Sequence, residues 1–135
     1  MLAMPAAMDI AMNIESVAKR LVELCRTGQY EQAQRELYAQ DAISIEPPWA
    51  PAGSLGNAKG LPAIFEKSRK FAEGVEEVHS AGCSDPVIAG DWFSVAMTLD
   101  ATFKGVGRSQ INEICVYRVR DGKIVHEQFF YGMET

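Results

Sequence analysis

The spacing of apolar residues changes at Gly74: before it they recur every three or four positions, and after it every second. Ile14, Val17, Ala18, Leu21, Val22 and Cys25 predict an amphipathic helix over 13–27, with Asn13 as N-cap and Gly28 as the stop. Tyr30, Ala33, Leu37 and Tyr38 predict a second helix over 30–40, followed by a short strand over 42–46. Pro47 and Pro48 cannot donate to a ladder, so this strand has to end there. The loop over 47–60 is rich in Pro, Gly and Ala and carries Trp49, which should cover apolar surface. In the third helix Pro62 sits in the first turn, Leu61, Ile64, Phe65, Ser68 and Phe71 or Ala72 face inward, and Gly74 ends the run.

Beyond Gly74 the runs 75–83, 92–104, 108–120 and 123–132 read as antiparallel strands. Asp121-Gly122 is a strong hairpin signal, because both residue types tolerate the positive φ of a type I′ turn, and Lys104-Gly105-Val106-Gly107 marks a looser hairpin. Helices followed by a meander predict a single α+β domain with three helices on one face of a curved sheet. Parity assigns Phe93, Met97, Leu99, Phe103, Glu113, Cys115, Tyr117, Val125, Glu127, Phe129 and Tyr131 to the face under the helices. The other face carries Trp92, Ala96, Ile114, Val116, Ile124, His126 and Phe130, and no helices remain to cover it. So apolar a surface is expected to close on a second copy, giving a homodimer through the outer face.

A chain of 135 residues suits one domain with its own core. The net charge of −5, with Lys and Arg scattered, argues against nucleic acid and anionic membrane as partners. No apolar run reaches the roughly 18 residues that span a bilayer, so a soluble protein is expected. Cys25, Cys83 and Cys115 are odd in number and lie within regular segments, which points to reduced thiols and the cytoplasm. The stretch 1–12 lacks the basic start of a signal peptide and is expected to be a loosely ordered tail before a domain over 13–135.

Glu46 stands where the first strand is forced to stop, and a strand end can hold a carboxylate at a cavity mouth, as loop-borne general bases are commonly held. The segments Cys-Arg-Thr-Gly (25–28), Tyr-Ala-Gln-Asp-Ala-Ile-Ser-Ile-Glu-Pro (38–47) and the hairpin 113–131 make the chain resemble the nuclear transport factor 2-like superfamily. That group includes ketosteroid isomerases, SnoaL-like polyketide cyclases and limonene epoxide hydrolase. The resemblance implies a cystatin-like α+β roll: three helices closing a cone against a strongly bent antiparallel or mixed sheet, with an axial apolar pocket and a dimeric assembly. It aligns Glu46 with the Asp that shuttles a proton in ketosteroid isomerases. Their oxyanion donors are not matched, because Leu21 or Val22 and Cys115 stand in those places. Losing such donors, each worth roughly 2.7–4 kcal/mol in other oxyanion holes, argues against steroid isomerisation. The epoxide hydrolase pattern fails as well, since its final-strand Asp aligns with Phe129.

Two further inner-face acids, Glu113 and Glu127, lie on strands that the Asp121-Gly122 hairpin makes neighbours, and a close approach would leave one of them protonated beside a base. Glu46, Glu113 and Glu127 are therefore the candidate catalytic residues of a cofactor-free isomerase or cyclase acting on a small hydrophobic carbonyl compound. The alternative is that the acids bond to backbone or Tyr donors and the domain is a non-catalytic binding or interaction module. Trp49, Met97, Leu99, Phe103, Cys115, Tyr117, Phe129 and Tyr131 are candidates for the ligand wall, and equally for a filled core. His79 and His126 lack metal spacing with Asp or Glu, so neither a metal nor another cofactor is expected.

Overall fold

The computed structural model describes residues 13–48 and 56–132. The predicted tail over 1–12 and the Trp49 expectation lie outside the described residues. Helix α1 (Ile14–Arg26) is capped by Asn13, whose side chain accepts from the Ser16 N–H at 2.9 Å. It buries Val17, Ala18, Leu21, Val22, Leu24 and Cys25, and the chain reverses at Gly28 with φ +74. Helix α2 (Tyr30–Leu37) is followed by strands β1 (Tyr38–Ile45) and β2 (Ala58–Lys59), then by helix α3 (Leu61–Gly74). The remaining strands are β3 (Val75–Cys83), β4 (Val87–Ala89), β5 (Trp92–Phe103), β6 (Gly107–Arg120) and β7 (Lys123–Phe130).

The strands form one seven-stranded mixed sheet in the order β2-β1-β7-β6-β5-β3, with β4 beside β5. Among the described residues β1 and β7 pair in parallel and the other pairs are antiparallel. The helices pack on one face, and the core between joins Val17, Leu21, Leu37, Ile64, Phe93, Val95 and Ile124. The α+β class with three helices on a curved, unclosed sheet is what the change of period at Gly74 predicts.

Several boundaries differ from the sequence expectation, each for a tertiary reason. The second helix ends at Leu37, and Tyr38 already belongs to β1, where it pairs with Ile124 of β7. Val125 and Ile124 exchange places: an irregularity between Arg118 and Val119 shifts the β6–β7 register, so Ile124 is fully buried and Val125 is not. On α3 the buried residues are Leu61, Ile64 and Lys67, whereas Phe71 is exposed and meets Phe103 edge-on at 6.0 Å. The short strands β2 and β4 are additional edge pairings that carry too few residues to show a period.

Candidate functional site

Ala42, Ser44 and Glu46 occur at two-residue intervals, so alternation turns all three toward the helices, with Ala42 and Ser44 fully buried. The Glu46 N–H donates to the Asn57 side chain at 2.7 Å, which fixes the strand end despite the prolines that follow. From α3, Lys67 arrives on the face defined by Leu61 and Ile64, three residues per step. Its ammonium lies 2.6 Å from a Glu46 oxygen and donates to Ser44 Oγ at 2.8 Å, above the Phe129 ring at 5.1 Å from the centroid. Lys67 is 8% exposed and the Glu46 side chain 10%, so each charge depends on the other for compensation.

The other Glu46 oxygen accepts from the Tyr131 hydroxyl at 2.7 Å. Burial first, and then this bond, push the Tyr131 phenol up. Glu127 is 4% exposed and accepts from the Tyr38 hydroxyl. Burial raises its pKa against the lowering effect of hydrogen bonds from Tyr38 and Ser44 and of the Lys67 charge. Glu113 is pushed up to about 7 by burial, then by the charges of Glu46 and Glu127, against a bond from Cys115 and the charge of Lys67.

The sequence candidates therefore separate. Glu46 and Tyr131 are in contact, and Glu113 responds to Glu46 ahead of Glu127. Glu113 and Glu127 are not side by side, because Glu127 pairs with Tyr117 and Phe129 with Cys115. Glu113 lies a further two residues along, so its backbone is about 13 Å from the Glu127 register position. Glu127 is buried on β7 beside Ser44 of β1 and meets the cluster through Tyr38 and Ser44. Cys115 and Tyr117 are also core residues, with Tyr117 stacked on Phe93 at 4.9 Å, and are closed to a ligand. Met97 and Phe129 pack against that core, while Leu99 and Phe103 are half-buried along β5. His79 bonds Thr102 at 2.7 Å on an exposed part of β3, away from the cluster.

Two grooves adjoin this network. One, of about 220 Å³, lies between β2 and α3 and is lined by Asn57, Ala58, Lys59, Ala63, Glu66, Lys67 and Lys70. The other, of about 280 Å³, is lined by Ala96, Met97, Thr98, Asn112, Glu113, Ile114, Phe130, Tyr131 and Gly132. Among the described residues no three His, Cys, Asp or Glu side chains cluster as metal ligands, and no helix is long and apolar enough to cross a membrane.

The fold agrees with the comparisons. Residues 12–131 match the family model of the SnoaL-like domain. The chain belongs to the SnoaL-like family. A Mesorhizobium loti structure, whose name couples SnoaL-like polyketide cyclase with carbohydrate phosphatase, is 32% identical with a TM-score of 0.80, covering 88% of this chain and 99% of that one. A nuclear transport factor 2-like protein of unknown function from Burkholderia pseudomallei shares the fold at 15% identity and TM-score 0.71, over 89% and 91% of the two chains. A Streptomyces antibioticus protein named as a polyketide cyclase shares it at 22% identity and TM-score 0.64, over 87% and 90%. No curated protein matches.

Sequence reasoning missed three members of this SnoaL-like interior: Lys67, Ser44 and Tyr38. A readable signal existed for Lys67, a cation three residues after Ile64 on the apolar stripe of its helix. Ser44 shares parity with Glu46, so the same alternation would have turned it inward. Tyr38 offered no such signal, because it directly follows the helically spaced Tyr30, Ala33 and Leu37, which hides the strand that β7 imposes on it.

Proposed function

We propose that this SnoaL-like protein catalyses a cofactor-free proton transfer on a small, largely apolar carbonyl compound, of the isomerase or cyclase type, with Glu113 carrying the proton. The observation behind this reading is the grouping of Glu113 with Glu46, Lys67 and Tyr131 around one charge-compensated centre. Glu46 is held on both oxygens by donors, which fixes its orientation and suits a positioned electrostatic partner. Glu113, with a pKa near neutrality, is matched to accept and return a proton at working pH. This shifts the base from Glu46, expected at the strand end, to the acid on β6.

The test is exchange of α-protons for deuterium in D2O, followed by proton NMR on a panel of cyclic ketones and 1,3-dicarbonyls. Catalysed exchange that falls by about 10²–10⁴ in Glu113→Gln is the expected outcome. Exchange at the buffer rate for every compound, with wild type and variant alike, would remove the enzyme reading. A non-catalytic binding module is then favoured, and the sealing of Glu127, Cys115 and Tyr117 into the core is the observation on its side.

We further propose a homodimer through the outer sheet face. Ile114 and Phe130 are 47% and 49% exposed there, and Trp92 carries His126 edge-on at 5.4 Å and the Arg118 guanidinium at 5.6 Å. A reducing, cytoplasmic setting fits the three free cysteines.

A further inference from the structure

We propose that the groove between β2 and α3 is a binding site for the carboxylate of a small monoanionic ligand, with Lys59 and Lys70 at its walls and Lys67 at its inner end. The inference goes beyond the proton-transfer reading, whose Glu113 lines the other groove, and shares with it only Lys67.

The groove is cationic in an acidic protein: the chain carries −5 overall, yet Lys59, Lys67 and Lys70 line this one recess. Among the described residues Lys59 and Lys70 make no ion pair, and Glu66, the only acid on the lining, is bonded to Arg69 at 2.6 Å. Two exposed ammonium groups thus have no counterion among the described residues. Lys67 differs from them in being more than nine-tenths buried. Its ammonium is held by Glu46, Ser44 and the face of the Phe129 ring, which fixes it at the groove lining.

The structure around the groove is built rather than incidental. Lys59 and Ala58 pair with Ile43 and Ser44, so the wall of the groove is hydrogen-bonded to the strand that presents Ser44 and Glu46. Asn57 contributes to the same lining while accepting from the Glu46 N–H. Ala58 and Ala63 supply a low apolar surface against which a ring or short chain can lie.

Size and charge define the occupant. A volume of about 220 Å³ falls below the roughly 300–1,000 Å³ of drug-sized pockets and fits one small acid or the acidic end of a larger one. The Glu66 carboxylate on the lining disfavours a dianion, so a carboxylate suits this groove better than a phosphate monoester.

Benzoate and its neutral isostere benzamide are the probes, titrated into the full-length ¹⁵N-labelled protein and followed by amide shifts. Benzoate should move the amides of residues 58, 59, 63, 67 and 70 and bind at least tenfold more tightly than benzamide. Joint replacement Lys59→Gln and Lys70→Gln, at exposed positions, should erase that preference without lowering the melting temperature. Equal affinities for the two probes, benzoate shifts confined to the groove around 96–98 and 112–114, or an undiminished preference in the double variant would each overturn the proposal. Benzoate bound here with no deuterium exchange on any ketone sinks the proton-transfer reading and leaves the groove assignment standing. Catalysed exchange with no preference for benzoate does the reverse.

Discussion

Lys67 governs the charge balance of the interior, because it is the cation that both Glu46 and, through Ser44, Glu127 depend on. Lys67→Met should cost about 3–5 kcal/mol by leaving Glu46 buried without a counterion. Adding Glu46→Gln should recover part of that loss, and chemical denaturation of the single and double variants measures the coupling. Glu113 imposes a pH dependence of opposite sign to that of an ordinary ion-paired acid. Its folded pKa of about 7 exceeds the usual 4.5, so the folded state holds the proton more tightly than the unfolded state between these values. Stability from this group is complete below pH 4.5 and falls as pH rises toward 7, by roughly 1–3 kcal/mol. Thermal scans across that range should show Glu113→Gln losing this decline and gaining stability at pH 8. A variant curve parallel to the wild type would show that Glu113 is not the group responsible. These residues were half legible: the acids declared themselves by inward parity, but which of them would be neutralised depended on a lysine from another element.

At the scale of elements, α1 was readable to within a residue because its cap, apolar stripe and glycine stop all agree. Gly28→Ala should cost about 1 kcal/mol, since φ +74 is strained for any residue with a Cβ, and urea unfolding would register it. The junction of α2 and β1 was misread because propensity and spacing are local, whereas Tyr38 is drawn into the sheet by pairing with β7 and by its bond to Glu127. Tyr38→Phe removes a buried donor from that carboxylate and should destabilise the fold by about 1–3 kcal/mol. An unchanged denaturation midpoint would mean that Ser44 alone satisfies Glu127.

At the scale of the molecule, the outer sheet face leaves Trp92, Ile114 and Phe130 partly open to water. Sedimentation at micromolar concentration should give about twice the 14.8 kDa of one chain. Replacing Phe130 by Lys should shift the population to single chains, and a monomer in the unaltered protein would contradict the dimer directly. The sequence alone determined the order of the helices and of the longer strands, the turns and the division of most strand positions between two faces, because these follow from periodicity and backbone restrictions local to each segment. Tertiary structure decided the rest. The β6–β7 irregularity chose Ile124 over Val125 for the core, and the parallel pairing of β1 with β7 brought Tyr38 to Glu127. The packing of α3 delivered Lys67 to Glu46. Register and long-range charge pairing are properties of two segments meeting, and no pattern within either segment encodes the partner it will find.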